Sequence, residues 1–165
     1  MAATIQIHEM SALATGVDKT SGTIRFKDAD NATADLANAL VIPAAGSIYS
    51  YTKKLRPYVS VAPDVVVDNF RWYTDGASGY GTGIGVTALN LGVTWGANYK
   101  TAQPAGVDIF TYVVAAPLDG DVTDTGPVTT TGYHGDLIEV QMSVASTAGA
   151  GVKTAETLTF AYDEI

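Results

Sequence analysis

Ile138-Glu-Val-Gln-Met-Ser-Val144 alternates without a break: Ile138, Val140, Met142 and Val144 fall on one side, Glu139, Gln141 and Ser143 on the other. A period of two marks a strand with one apolar and one polar face, because successive side chains leave an extended backbone in opposite directions. The pattern recurs outward from this stretch. Leu158, Phe160 and Tyr162 alternate with Thr157, Thr159 and Ala161, and Ile24 and Phe26 alternate with Thr23, Arg25 and Lys27. Between residues 49 and 59, Tyr49, Tyr51, Leu55 and Val59 share one face, and Ser50, Thr52, Lys54 and Arg56 the other. Such one-sided strands belong to antiparallel sheets with one face on the core and one in water.

Residues 5–8, 65–73 and 107–114 read as further strands. The last two are apolar on both faces, which places them at the centre of a sheet or beneath a partner. Turn signals separate the segments at Pro43-Ala-Ala-Gly46, Ala62-Pro-Asp64, Thr74-Asp-Gly76, Leu118-Asp-Gly120 and Gly126-Pro127. About eight strands punctuated in this way predict an all-β fold, an antiparallel β-sandwich, with the jelly roll among the connectivities that fit. Only residues 32–40 read as helical, and briefly. The small, polar stretch 11–22 reads as a linker or loop, leaving Ile5 and Ile7 on a strand-like tip that pairs either with its own sheet or with a neighbouring chain. The organisation expected is an N-terminal strand, arm and linker over residues 1–22 and a sandwich domain over 23–165.

Composition narrows the function. A chain of 165 residues fits one domain that buries roughly 70% of its unfolded surface. Its net charge is −8, and its densest cationic run is Lys53-Lys54 followed by Arg56, so neither nucleic acid nor an anionic membrane is expected as a partner. No cysteine is present, which removes thiolate chemistry, disulfides and Cys-ligated zinc. No stretch approaches ~18 consecutive apolar residues. Met1-Ala-Ala-Thr-Ile5 lacks a basic, then apolar, leader, so synthesis and retention in a cytoplasm are expected.

Candidate chemistry is sparse. The only imidazoles, His8 and His134, would have to serve any nucleophilic triad. His134 lies in Gly132-Tyr-His-Gly-Asp136 beside a carboxylate, but no Gly-x-Ser-x-Gly elbow accompanies it, and a surface turn is the expectation. Asp28-Ala-Asp30-Asn31 opens like a calcium loop, yet its sixth position is Thr33 and its twelfth Ala39, where such loops need Gly and Glu. Asp119-Gly-Asp121 with Asp124 is a second acidic loop, of a kind that Asp forms by bonding its own backbone. Asp64, Asp68, Asp75, Asp108 and Glu139 could supply a hydrolytic carboxylate pair, although nothing in the sequence pairs them. In Ser78-Gly-Tyr-Gly-Thr-Gly-Ile-Gly85 the glycines alternate; an extended chain would set all of them on one bare face suited to close packing rather than to phosphate. No catalytic, metal or cofactor-binding residue is therefore expected. Tyr49, Tyr51, Tyr58, Trp72, Tyr73, Tyr80, Trp95 and Tyr99 are divided between core and a recognition surface.

Four stretches together, Gly22-Thr-Ile-Arg-Phe-Lys-Asp-Ala-Asp-Asn31, Tyr49-Ser-Tyr-Thr-Lys-Lys-Leu-Arg-Pro-Tyr-Val59, Asn69-Phe-Arg-Trp-Tyr-Thr-Asp-Gly76 and Glu156-Thr-Leu-Thr-Phe-Ala-Tyr-Asp-Glu-Ile165, resemble the small structural proteins that tailed bacteriophages encode among their head and tail genes. The resemblance implies a non-enzymatic virion protein, either a capsid decoration or cement subunit or a minor tail component, present in many copies and without cofactors. Its implied partners are the major capsid protein or other virion proteins. Self-association as a dimer or trimer, with residues 1–22 reaching a neighbour, is the matching expectation. A carbohydrate-binding or adhesin-like sandwich using Trp72 or Trp95 is the second class, and an enzyme dependent on His134 the third.

Overall fold

The computed structural model describes residues 2–165, which form two antiparallel sheets facing one another across an apolar core. Eleven strands are present among them: β1 (Thr4–Ala12), β2 (Thr15–Asp18), β3 (Ser47–Tyr49), β4 (Lys53–Val61), β5 (Val67–Tyr73), β6 (Ile84–Asn90), β7 (Val107–Asp108), β8 (Leu118–Asp119), β9 (Gly132–Tyr133), β10 (Ile138–Ala145) and β11 (Thr159–Glu164). The larger sheet runs β2-β1-β4-β10-β6-β7, with β3 against β10 and β9 against β4; the smaller runs β11-β5-β8. The sandwich expected from the alternating segments is the fold observed.

β10 holds the larger sheet together. It pairs with β6 along nearly its whole length, Ile138 opposite Asn90 through Val144 opposite Ile84. Its other edge is shared end to end by β4, through Ile138 opposite Leu55, and by β3, through Val144 opposite Ile48. The apolar side of its alternation, together with Leu55, Val86, Ala88 and Ile109, meets Trp72 of the smaller sheet in the main core cluster. A second cluster joins Val59 to Ala3, Val67, Phe70 and Val128. Phe160 of β11 touches both, its ring 4.9 Å from that of Trp72 and 5.5 Å from that of Phe70.

Several expectations need correction. Residues 11–22 are no linker: β1 continues to Ala12 and turns back through β2, with Met10 opposite Gly16 and His8 opposite Asp18. β1 itself pairs with β4, Ile5 opposite Val59 and Ile7 opposite Pro57, so the N-terminal segment is an inner part of the sandwich's own sheet. Short polar residues there signal a tight hairpin as readily as a linker. Residues 32–40 form bends rather than a helix, and residues 24–26 are not a strand, although Ile24 and Phe26 do pack on the core. Segment 107–114 is the two-residue edge strand β7 followed by a 3₁₀ turn at Ile109–Thr111, capped by Asp108 Oδ1 accepting from Phe110 N–H. The glycine run is not extended: Gly81 and Gly83 have φ of 81° and 78°, and at Gly83 a side chain would strike the backbone of Ala148.

The largest departure concerns the polar face. Lys54, Glu139 and Gln141, expected in water, are only 1%, 1% and 2% exposed. The coil after β6 folds back over them and forms a third layer on the outer side of the larger sheet.

Candidate functional site

The outer face of β4 and β10 carries the densest set of ionisable and amide groups, so any site chemistry is sought there first. Glu139 and Lys54 are cross-strand neighbours, and their side chains close an ion pair of 2.9 Å. Burial of such a pair costs several kcal/mol per ion unless further hydrogen bonds compensate. The overlying coil provides them. Tyr99 donates its hydroxyl to Glu139 Oε1 at 2.6 Å, and Gln103 donates Nε2 to the same oxygen at 3.1 Å. Lys54 donates to Asn98 Oδ1 at 2.8 Å and lies 5.4 Å above the Trp95 ring. Gln141 donates to the carbonyls of Ser50 and Thr101 and accepts from Gln103 N–H, each at 2.9 Å. Burial and the Glu139 carboxylate push the Tyr99 phenol well above its ordinary range.

Lysine, glutamate and tyrosine in mutual contact look like an acid–base constellation. Here the ion pair's side chains are 1% and 2% exposed, and neither the hollow beside Phe26 and Met142 nor that beside Tyr73 and Glu156 is lined by them. Both charged groups and the Tyr99 hydroxyl are committed to structural partners, while Gln103 Oε1 is buried without one. The arrangement fastens a coil to a sheet.

Two further polar clusters do similar work. On the core side, Glu9 lies opposite Leu55, and its Oε1 meets Lys53 Nζ at 2.9 Å, while Lys53 also donates to Asn31 O at 2.5 Å. The fully buried Asp136 accepts from the backbone N–H groups of Val122, Thr123 and Asp124 and from Asn90 Nδ2, so one carboxylate shapes the 120–125 loop. Arg56 adds to this corner, donating to Gly135 O at 2.9 Å and to Asp124 Oδ2 at 2.7 Å.

The candidates raised by the sequence are dispersed. His134 donates its backbone N–H to Pro57 O, and its Nε2 is shut in without a hydrogen-bond partner; Asp136, two residues on, spends its carboxylate on the loop instead. His8 meets a different residue, Tyr133: Nδ1 lies 2.9 Å from the Tyr133 hydroxyl, and the imidazole stacks on Tyr58 at 4.9 Å. Burial there lowers the His8 pKa, with the Asp18 carboxylate working against it. Of the calcium-like loop, Asp28 pairs with Lys100, Asp30 accepts from Asn98 Nδ2 and Asn31 Oδ1 accepts from Thr33 N–H. Asp75 and Asp108 accept from amides two residues ahead, and Asp68 accepts from Asn69 N–H. Glu139 is the structural carboxylate described above, and Asp64 is likewise engaged in an interaction of its own. Among the described residues no group of three or more His, Asp or Glu side chains is placed to hold a metal ion.

Asp119 and Asp121 do come together. Burial first, then the hydrogen bond with Asp119, raises the Asp121 carboxyl to about 6, against a weaker opposing contact from Phe70 N–H. The two tryptophans divide between core and surface coil. Trp72 fills the core at 2% exposure and cannot meet a sugar, Trp95 packs on Lys54, and the large side chains that stand out are aliphatic, including Val41, Val114, Val152 and Ile165. Sequence reading missed the Lys54–Glu139 pair because it assigned both residues to water; their opposite charges on two one-sided strands were the available signal.

No family model, curated protein or solved structure matches the chain. No helix among the described residues is long and apolar enough to cross a membrane.

Two substitutions test these assignments. Lys54→Met, which strands the Glu139 carboxylate, is expected to cost about 3–5 kcal/mol in urea unfolding, and adding Glu139→Gln is expected to restore at least half of that. Equal losses in the single and double variants would contradict a coupled buried pair. For Asp121, a folded pKa raised above the unfolded one means stability that is full below pH ~4 and lost as pH rises through about 6. Asp121→Asn should flatten that part of the stability profile and raise stability at neutral pH by about 1–2 kcal/mol after solvent screening. An unchanged profile would contradict a raised Asp121 pKa.

Proposed function

We propose that the chain is a non-enzymatic structural protein of a tailed-phage virion, a decoration or cement subunit that binds the major capsid protein and stabilises the head. The observation that carries this reading is the internal use of its chemistry: the ion pairs of Lys53, Lys54 and Arg56 brace the sandwich and its covering coil. What is left outside is an acidic surface with strand edges and isolated aliphatic side chains. Such a surface grips neighbours through backbone pairing and modest apolar contacts, and many weak contacts multiplied by copy number tie a shell together. The resemblance of its segments to phage head and tail proteins supports the same reading. On this reading the subunit is made in the host cytoplasm and resides in the virion. Its partners are virion proteins and further copies of itself, and it needs neither cofactor nor nucleic acid.

A carbohydrate-binding sandwich fits less well, since Trp72 is enclosed and Trp95 serves as a lid over Lys54. Quantitative mass spectrometry of purified particles tests the proposal. A decoration role predicts on the order of hundreds of copies per particle. About a dozen or fewer would move the protein to the tail or connector, and its absence from washed particles would overturn the virion assignment.

A further inference from the structure

β1 lies between β2 and β4, so the N-terminal hairpin offers a neighbour chiefly the four-residue edge of β2. The larger sheet ends in β2 and β7, of four and two residues; the smaller ends in β8, of two, and β11, of six. β11 is therefore the longest edge, and no described backbone group pairs with its outer side. Exposed edges are usually blunted by charged side chains, above all Lys, by Pro or by a bulge. Thr159-Phe-Ala-Tyr-Asp-Glu164 contains neither Lys nor Pro, and its two charges are already engaged within the chain, Asp163 by Arg71 and Glu164 by Ala3 N–H. The nearby bulge belongs to the inner strand: Ala161 opposes Arg71 and Asp163 opposes Asp68, so the extra residue lies in β5, where Asn69 has φ of 59°. β11 itself keeps a regular extended edge.

We propose that two copies of the chain join through β11, antiparallel about a two-fold axis at Ala161, giving a continuous six-stranded sheet. Charge permits this register and excludes one centred on Asp163. Centring on Ala161 sets Asp163 opposite Thr159, whereas centring on Asp163 would set two carboxylates face to face. Arg71 already neutralises Asp163 at 2.5 Å. The same register brings Ile165 of one copy beside Thr157 of the other. Ile165 is 76% exposed, and Thr157 lines a hollow of about 560 Å³ whose wall includes Tyr73, Val114 and Thr159. Thr159 lies opposite Tyr73, so this hollow opens on the face to which Ala161 and Ile165 also belong. Two of the hollow's carboxylates are held by the chain's own amides, Asp75 by Ala77 N–H and Glu156 by Gly79 N–H. An apolar knob and its receptacle are thus related by one axis, and each copy offers both, as an isologous contact requires.

This interface goes beyond the virion reading and is tested without particles. Sedimentation equilibrium of the full chain should give a monomer–dimer equilibrium. Ala161→Glu and Ala161→Lys, each folded by circular dichroism, should each weaken the dimer at least ~5-fold by setting like charges opposite one another. Mixing the two variants should restore it. In the unmodified protein, amide exchange over residues 159–164 should slow as concentration rises. A monomer at every concentration overturns the proposal, as does a dimer that both substitutions leave intact or exchange that ignores concentration. Failure of the mixture to reassociate overturns the axis at Ala161.

Discussion

Lys54 and Glu139 face each other across β4 and β10 on a side of the sheet that a two-layered sandwich would leave wet, and much of the architecture follows from keeping water off them. A buried ion pair is tolerable only when its remaining hydrogen-bonding capacity is filled. The coil between β6 and β7 therefore has fixed obligations: Trp95 over the ammonium, Asn98 and Tyr99 at its two charged ends, and Gln103 reaching both Glu139 and Gln141. A long stretch without regular structure is held in one conformation by side chains that β4 and β10 present to it. The penalty for misplacing it is a pair of stranded charges, so polar specificity rather than apolar area positions this layer.

The same principle recurs at the other corners. Glu9 with Lys53 anchors residues 24–31 against the core edge, and Asp136 with Arg56 anchors the 120–125 loop. Each cluster ties an irregular segment to a strand of the larger sheet. The protein has few charges, and those at these corners act as internal fasteners. The charged groups at these corners therefore hold segments in place rather than standing free on the surface.

The sandwich was legible because its informative strands alternate: Ile138 to Val144 and Leu158 to Tyr162 face inward as their period requires. The apolar half of that pattern was a sound guide. Its polar half was not, since period two says which side a residue leaves but not whether something covers that side. Residues 11–22 and 32–40 failed for a related reason: small polar residues are compatible with hairpin, bend or linker, and long-range pairing decides among them. Pairings such as His8 with Tyr133 or Asp119 with Asp121 depend on register and loop return, which local pattern does not encode.

The sealed face can be probed directly in the coil that covers it. The backbone N–H of Gln103 lies outside any strand yet donates to Gln141 Oε1 at 2.9 Å beneath the coil. Residue-resolved hydrogen exchange should show this amide protected to the same degree as the paired amides of β10, because releasing it exposes the Lys54–Glu139 pair. If it exchanges as fast as open loop amides while β10 remains protected, the covering layer is not fastened, and the central role given to the buried pair is wrong.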